Sequence, residues 1–384
     1  PQLTGEHRCD VCVVGAGFTG ISTALSLAEK GKRVIVVEGS RIGFGASGRN
    51  GGQIVNSFNR DIDYIFQNYG DDIGHKMAKM AFSGSELIRH RIEKYNIDCD
   101  LKHGNLFAAC NKKQFEELKA KKALWESHGH NELELLTADS IQNHIGSDRY
   151  AGGLLDKKGG HIQPLNLVLG QAKAFEELGG QIFEDSEVIR LEQGKSGKVF
   201  TKQGTVVADT IVVAGNAYMF GLLPEIEKKA MPCGTQVIAT EPLPEEIQKQ
   251  LLPTDHCVED CNYLLDYYRL SGDGRLIYGG GTTYGARDPG KIEWTGNFLL
   301  TMMRMPQVGK IGDNLYYAQG YSGHGVTNSH LMGEILSDAI DGEMERFDVF
   351  ASMPQYQFPG GRMLRIPYTA AGAVYYNLRD KLGI

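Results

Sequence analysis

The chain has 384 residues, of which 41% are hydrophobic and 23% charged, a composition typical of a globular protein with room for two domains. Its formal net charge of −7 argues against nucleic acids and anionic membrane surfaces as partners and is compatible with a small cationic substrate. No apolar run reaches the length of a membrane span.

Seven cysteines are scattered along the chain, and their odd number and spacing do not resemble a disulfide framework. A reducing, cytoplasmic compartment is the simpler interpretation. Cys9 and Cys12 have CxxC spacing but fall on the first predicted strand, which favours buried small residues over a redox or metal site. Cys257 and Cys261 lack a second pair, which disfavours zinc. The chain begins at Pro1 without a signal segment, as expected if an N-terminal piece is missing or processed.

The first predicted unit is a strand, a glycine-rich turn and a helix. Residues 11–14 form a short apolar strand, and residues 21–30 have helical periodicity. The turn between them has the pattern GxGxxG and contains Gly15, Gly17, Phe18, Thr19 and Gly20. In this pattern the first glycine permits the tight turn, the second lets the backbone approach a pyrophosphate, and the third lets helix and strand pack closely. The helix N-terminus offers free N–H groups to the same pyrophosphate.

A second strand over residues 33–37 ends at Glu38, where an acidic residue takes the hydroxyls of an adenosine ribose. The glycine pattern alone is a weak signal, but all parts of the unit occur in order, which predicts an adenine dinucleotide site. A glycine-rich segment follows and is either a flexible loop or, as we favour, a segment that approaches the phosphate and ring of the cofactor. Its residues are Gly45, Ala46, Ser47, Gly48, Arg49, Asn50, Gly51, Gly52 and Gln53.

Helical patterns dominate the next part of the chain, and short strands follow them. Helices are predicted over residues 77–95, 113–125 and 164–178, with strands over 104–110 and 150–155. Further short strands are predicted over 181–183, 187–191, 198–201, 205–208 and 210–214. The last of these ends at Ala214 and Gly215, where a nucleotide-binding sheet often returns beneath its dinucleotide.

The C-terminal half contains antiparallel strands and a second strand–glycine–helix junction. The strands are predicted over residues 236–240, 263–270, 275–278 and 294–301. The junction lies between an apolar strand over 315–318 and a helix over 326–340, and it contains Gly320, Tyr321, Ser322, Gly323, His324, Gly325 and Val326. Its helix N-terminus either stabilises negative charge on a reduced cofactor ring, which we favour, or is a plain helix start.

The predicted fold is α/β, with a Rossmann-like dinucleotide-binding domain and a discontinuous α+β substrate domain built on an antiparallel sheet. The first domain is assigned residues 1–61, 150–235 and 310–350, and the second residues 62–149 and 236–309. Residues 351–384 are assigned to a C-terminal tail.

Several stretches of the chain resemble the flavin-dependent amine and amino-acid oxidases related to glycine, sarcosine and D-amino-acid oxidases. They include CDVCVVGAGFTG, GGHIQPLNL, CVEDCNYLLDYYRL and YYAQGYSGHGVT, and the matching stretches cover nearly the whole chain. The resemblance implies a fold of the D-amino-acid-oxidase type with FAD as cofactor. Within the family it extends to members that act on gamma-glutamylputrescine, which implies oxidation of a terminal amine to an aldehyde in putrescine breakdown. Oxygen is then the acceptor, with ammonia and hydrogen peroxide as the other products.

An alkylammonium group must lose its proton before its carbon is oxidised, so aromatic or carbonyl groups are expected around it. Tyr263, Tyr267 and Tyr268 lie on predicted strands of the substrate domain and suit this role, although packing in the core or on a sheet face is the favoured explanation for any single one of them. His324 is the titrating candidate beside the ring, and its alternative role is a structural hydrogen bond in the loop. Another amine substrate, or a flavin-binding redox protein without turnover, remains an alternative function.

Three further expectations follow from the resemblance. Relatives that tether FAD use a cysteine before the second glycine motif or a histidine early in the chain, whereas here no cysteine follows Cys261 and no histidine lies between Arg8 and His75. FAD is therefore expected to be non-covalent. Val188 is expected beside the adenine. The stretches YGARDP and WTGNFLLT are closer together than in similar oxidases, which predicts a missing segment between residues 289 and 290.

Overall fold

A computed structural model of the chain describes residues 1–219, 221–283, 294–359 and 361–382. Its secondary structure is mixed, with helices packed on an eight-stranded and a nine-stranded sheet, so the predicted α/β class is confirmed. We call the two sheets sheet A and sheet B. The predicted missing segment at residues 289–290 lies outside the described residues.

The helices of the described residues are α1 (Phe18–Glu29), α2 (Ile62–Met80), α3 (Ser83–Lys94), α4 (Lys112–Ser127), α5 (Pro164–Glu177), α6 (Pro224–Glu227), α7 (Glu245–Leu251), α8 (Gly325–Ile340), α9 (Glu345–Ala351) and α10 (Gly361–Leu382). The strands are β1 (Gly5–Val14), β2 (Val34–Val37), β3 (Gln53–Ile54), β4 (Lys102–Ala109), β5 (Leu133–Thr137), β6 (Gly152–His161), β7 (Gln181–Phe183), β8 (Arg190–Glu192), β9 (Gly197–Phe200), β10 (Gly204–Val213), β11 (Ala230–Ala239), β12 (Cys257–Asp260), β13 (Tyr267–Leu270), β14 (Leu276–Thr283), β15 (Trp294–Thr301), β16 (Gln307–Ile311) and β17 (Leu315–Gln319).

Sheet A has the strand order β16-β17-β10-β1-β2-β7, and β8 and β9 extend it from β10. The strands from β17 to β7 are parallel, and they are apolar and buried, as expected for a sheet covered on both faces. Helices α1, α5 and α8 pack together beside this sheet. The carboxyl ends of β1, β2, β10 and β17 therefore meet at one edge, where open parallel sheets bind ligands.

Sheet B has the order β15-β11-β14-β13-β12-β4-β6-β3, with β5 paired to β6. Its pairs are antiparallel except β12 with β4. The predicted domain boundaries placed β3 and β6 with the dinucleotide-binding domain, but both strands belong to sheet B. The glycine-rich segment therefore connects β2 of sheet A to the short strand β3 of sheet B.

Some predicted elements differ from those observed. The helix expected over residues 77–95 is two helices, because α2 ends at Met80 and α3 begins at Ser83. The two strands expected over 205–214 are one strand, β10. Tyr263 precedes β13 in a turn, and Val188 precedes β8 in an irregular segment. The differing residues lie at the ends of predicted or observed elements or at the junctions between them, where the boundaries of helices and strands vary most.

Within the described ranges, no helix is both long enough and apolar enough to cross a membrane.

Candidate functional site

A cavity of about 820 Å³ lies where the strand ends of sheet A face sheet B. Val14, Glu38 and Ala214 line it from the ends of sheet A, and Glu259 and Tyr267 line it from sheet B. A cavity of this size, shared by two sheets, is typical of a cofactor and substrate site. We call its two regions the dinucleotide end, around Glu38, and the substrate end, around Glu259.

The glycines of the first junction allow backbone approaches that a side chain would block. Gly15 has a φ of 104°, and a Cβ atom there would lie 2.9 Å from the carbonyl oxygen of Ala214. A Cβ at Gly20 would lie 1.8 Å from the carbonyl oxygen of Gly15. Gly15 and Gly17 line the cavity, whereas Gly20 does not and acts in packing α1 against β1.

The N-terminus of α1 faces the cavity through backbone groups. Gly17 caps the helix without a side-chain hydrogen bond, and the Phe18 N–H donates to Ser47 Oγ at 2.8 Å. Phe18 and Thr19 line the cavity, and the Thr19 hydroxyl lies 2.6 Å from the Tyr321 hydroxyl of the second junction. The two glycine junctions predicted separately are therefore joined by a direct hydrogen bond.

Glu38 lies at the end of β2, at the edge of the cavity. Its carboxylate accepts hydrogen bonds from the backbone N–H groups of Ala16, at 2.7 Å, and Ser40, at 2.9 Å. Burial raises the pKa of this carboxyl group, and the backbone donors oppose that shift. Val188 lines the same end of the cavity. A carboxylate fixed here suits ribose hydroxyls, and an apolar neighbour suits a base.

The glycine-rich segment after β2 lines the cavity with Gly45, Ala46, Ser47, Arg49, Asn50, Gly51 and Gln53. The remaining two predicted residues do not line it and have backbone roles. A Cβ at Gly48 would lie 2.4 Å from the carbonyl oxygen of Gly43. Gly52 has a φ of 80°, and a Cβ there would lie 2.1 Å from the carbonyl oxygen of Ile162. These two glycines therefore shape the segment without lining the cavity.

The second junction lines the cavity with Tyr321, Ser322, Gly323, His324, Gly325 and Val326. Gly320 does not line it: its φ is 77°, and a Cβ there would lie 2.4 Å from Thr301 Cγ2. His324 caps α8, and its Nδ1 has no hydrogen-bond partner within the described residues. Burial lowers the pKa of His324 to about 4, and the nearby Lys121 acts in the same direction. The imidazole is therefore neutral at physiological pH.

Only two of the three predicted substrate-side tyrosines line the cavity, namely Tyr263 and Tyr267. The prediction for Tyr268 is corrected, because successive residues of a strand point to opposite faces of the sheet. Tyr268 packs in a separate hydrophobic cluster, and its hydroxyl lies 2.9 Å from that of Tyr150. Tyr267 fits closely against the glycine-rich segment, since a Cβ at Gly51 would lie 2.7 Å from its ring.

Sequence reasoning missed Glu259, which lines the cavity beside Tyr267. The two residues are directly opposite each other in the pairing of β12 with β13. Burial raises the pKa of Glu259 to about 7. The sequence places two adjacent carboxylates, Glu259 and Asp260, at the end of this strand, and only the strand register shows that Glu259 is the one that faces the cavity.

Within the described part of the chain, no group of three or more His, Cys, Asp or Glu side chains is arranged to hold a metal ion. Among the described residues, the cysteines are not joined by disulfides. Burial raises the pKa of Cys9 to about 12, so this CxxC cysteine is not a thiolate at neutral pH.

The residues present fit FAD. A Cβ at Gly17 would lie 2.8 Å from Ser47 Oγ, so glycine leaves a gap at this position. The gap is at the N-terminus of α1, which suits a pyrophosphate. Glu38 supplies a carboxylate for the ribose. The unpartnered Nδ1 of His324 and the N-terminus of α8 lie at the second junction, where a flavin ring can use hydrogen-bond donors and acceptors.

Comparison with known proteins gives a family and several relatives. Residues 10–295 match the DAO family of FAD dependent oxidoreductases. The chain is 53% identical to gamma-glutamylputrescine oxidoreductase of Escherichia coli K12, in an alignment that covers 100% of this chain and 95% of the relative. It is 39% identical to the probable oxidoreductase OrdL of Haemophilus influenzae, with 99% and 94% of the two chains covered.

Solved structures of the same fold include two amino-acid oxidoreductases. Glycine oxidase from Geobacillus kaustophilus aligns with a TM-score of 0.71 at 20% identity, covering 87% of this chain and 95% of that one. L-Proline dehydrogenase from P. horikoshii aligns with a TM-score of 0.72 at 21% identity, covering 87% and 94%. At these identities the likeness shows a shared fold.

Proposed function

The chain belongs to the DAO family of FAD-dependent oxidoreductases, and from that premise we propose that it oxidises gamma-glutamylputrescine. The observation that carries the proposal is the 53% identity, over the full chain, to the oxidoreductase named for that substrate. The products are the corresponding aldehyde, ammonia and, with oxygen as acceptor, hydrogen peroxide. When bound, FAD supplies the two-electron oxidation at the carbon that bears the amine.

The proposed cofactor-binding residues act mainly through backbone groups. The turn at Gly15 and Gly17 and the N-terminus of α1 hold the pyrophosphate, and Glu38 holds the ribose. Val188 lies against the adenine. The segment from Gly45 to Gln53 and the junction from Tyr321 to Val326 enclose the ring. We propose that the cofactor is bound without a covalent link, since the cysteines of the described residues do not line the cavity.

The proposed substrate-binding residues act by orienting the amine and excluding water. The aromatic rings of Tyr263 and Tyr267 line the cavity, and aromatic rings attract cations. His324 is a poor proton acceptor because its pKa is about 4, so its proposed role is to hold a hydrogen bond at Nδ1. The lack of disulfides among the described residues supports the proposal of a cytoplasmic location.

An anaerobic substrate panel tests this function. Purified holoenzyme is mixed with gamma-glutamylputrescine, free putrescine, another glutamylated polyamine and a cyclic imino acid, and bleaching of the flavin absorbance is recorded. We expect gamma-glutamylputrescine to bleach the flavin fastest, and peroxide to form when oxygen is admitted. If another amine bleached the flavin faster, that amine would be the preferred substrate and the proposed one would be wrong. If no amine caused bleaching, the proposed oxidase activity would be wrong.

A further inference from the structure

Three carboxylates of the described residues line the cavity, and they differ in what neutralises them. Glu38, at the dinucleotide end, is held by two backbone N–H groups. Glu187 is exposed and lies 3.8 Å from Lys202 Nζ. Glu259, at the substrate end, has no ion pair within 4.0 Å in the described part of the chain. Among the described residues that line the cavity, Glu259 is therefore the carboxylate without a direct ion pair or a short hydrogen bond.

Nearby cations are already engaged with other groups. Lys121 Nζ donates to Asp61 Oδ2 at 2.7 Å and lies 4.8 Å from the centre of the Trp125 ring. Arg149 lies 3.6 Å from Asp260, the residue after Glu259. Among the described residues, the one hydrogen bond to the Glu259 side chain is a long one of 3.4 Å, from Asn105 Nδ2 to Oε1. A half-buried carboxylate with so little support has the capacity to bind a cation from outside the protein.

Glu259 is also next to the segment that encloses the proposed ring site. Gln53, which ends that segment, donates from Nε2 to the carbonyl oxygen of Val258 at 3.0 Å. Tyr267, opposite Glu259 in the sheet, fits closely against Gly51 of the same segment. A cation held by Glu259 would thus have the aromatic ring of Tyr267 beside it. The glycine-rich segment would also be close, because it contacts Tyr267 through Gly51 and Val258 through Gln53.

We propose that Glu259 binds the ammonium group that is to be oxidised and accepts its proton, an inference that rests on the proposed function because it requires an amine substrate. In this step an N–H bond of the substrate breaks and an O–H bond forms on Glu259. The ammonium becomes a neutral amine, the carboxylate becomes a carboxylic acid, and no group is oxidised or reduced. Both charges disappear together, which a desolvated cavity favours.

Burial raises the pKa of Glu259 to about 7, which supports this role. Above neutral pH the carboxyl group is ionised and can bind the ammonium ion, and its raised pKa helps it to keep the proton that it accepts. The titratable groups that act on Glu259 or face it are Lys121 from α4, Tyr267 from β13, and Cys257, Asp260 and Cys261 from its own segment. The nearby His324, with a pKa of about 4, titrates well below this range.

The test compares Glu259→Gln with a matched surface change, Glu134→Gln, both as holoenzymes. Glu134 is half exposed and pairs with Lys157 outside the cavity. The probe is butyltrimethylammonium, which carries the charge but has no proton to give, and its binding is measured by calorimetry between pH 6 and 9. The rate of anaerobic flavin reduction by gamma-glutamylputrescine is measured in parallel.

We expect wild-type affinity for the probe to rise with pH through about 7. Glu259→Gln should weaken probe binding at least about 10-fold at pH 9 and abolish the pH dependence. It should also slow flavin reduction by at least about 100-fold. Glu134→Gln should match the wild type in every measurement, and Glu259→Asp should keep the pH dependence with weaker binding.

Probe binding that is independent of pH in the wild type, or unchanged in a flavin-loaded Glu259→Gln variant, would overturn the inference about Glu259. Wild-type oxidation of gamma-glutamylputrescine would then still support the proposed function. If instead no amine reduced the wild-type flavin, the proposed function would fail, and the probe titration would still decide whether Glu259 binds an ammonium ion.

Discussion

The two ends of the cavity are built in different ways. The dinucleotide end consists mostly of backbone groups and small residues that lie close together in the sequence, such as Gly15, Gly17 and Ser47. The substrate end consists of side chains from distant segments: Glu259 and Tyr267 come from sheet B, and His324 caps α8. Where backbone groups contact the cofactor closely, almost any added side-chain atom blocks binding. Where separate side chains form the site, one substitution can change a single role and leave the others intact. Changes at the first end should therefore remove the cofactor, and changes at the second should alter catalysis with the cofactor still bound.

The largest effect is expected for Gly17→Val. A Cβ at this position would lie 2.8 Å from Ser47 Oγ, and the valine methyl groups would occupy the space proposed for the pyrophosphate. The variant should purify without yellow colour, as measured by the ratio of flavin to protein absorbance. The control is Gly372→Val in α10, where a Cβ would meet nothing within 4 Å. A fully yellow Gly17→Val protein would refute the assignment of this junction.

His324→Ala should leave flavin bound and slow its reduction by the substrate about 100-fold, as expected for loss of an orienting polar group at the reacting centre. Stopped-flow reduction and the dissociation constant for FAD are measured on the same preparation. Equal losses in both would place His324 in cofactor binding, and unchanged reduction would leave it a structural residue of the loop.

Tyr267 and Tyr268 offer a matched pair on one strand with opposite orientations. Tyr267→Leu should raise KM about 10-fold, because it removes an aromatic face from the cavity. Tyr268→Leu should leave KM unchanged and lower the free energy of unfolding by about 1–3 kcal/mol, because it breaks the hydrogen bond to Tyr150 and alters packing. The opposite pattern in steady-state kinetics and urea unfolding would mean that the strand faces are reversed.

The smallest effect concerns stability at low pH. Burial lowers the pKa of both His161 and His330 to about 3, so the unfolded chain binds more protons than the folded chain between about pH 3 and 6.5. Stability from these groups is complete above about pH 6.5 and is lost as pH falls, by about 2 kcal/mol for each histidine at pH 5. Glu259 has the opposite sign, because its raised pKa contributes stability that is lost as pH rises from about 4.5 to 7.

Urea unfolding at pH 7.5 and pH 5 measures this effect. His330→Gln removes one of the buried histidines and should reduce the loss of stability at pH 5 by about 2 kcal/mol. The control, His90→Gln, changes an exposed side chain. A pH dependence that is the same in His330→Gln and the wild type would show that His330 is not buried in the neutral form.

Much of the dinucleotide end was predictable because its signals are local. The strand, the glycine turn, the helix and Glu38 follow one another within residues 11–38, and the position of each follows from backbone geometry over a few neighbours. The α/β class followed from the same pattern. Gly20, Gly48, Gly52 and Gly320 were predicted to bind the cofactor, but they do not line the cavity. Close contacts explain why glycine stands there: backbone oxygens lie next to the first three, and Thr301 Cγ2 lies next to Gly320.

The substrate end depended on tertiary structure, because a strand's neighbours and faces are set by partners far away in the sequence. The sequence by itself presented three tyrosines as equivalent, and only the register of β12 with β13 turned Tyr267 toward the cavity and Tyr268 away from it. The same register placed Glu259 opposite Tyr267, although no local pattern distinguished that carboxylate from Asp260 beside it. A shift of one residue would exchange the two faces of either strand. Sequence alone therefore determined how the cofactor end is built, and long-range strand pairing decided which side chains meet at the substrate end.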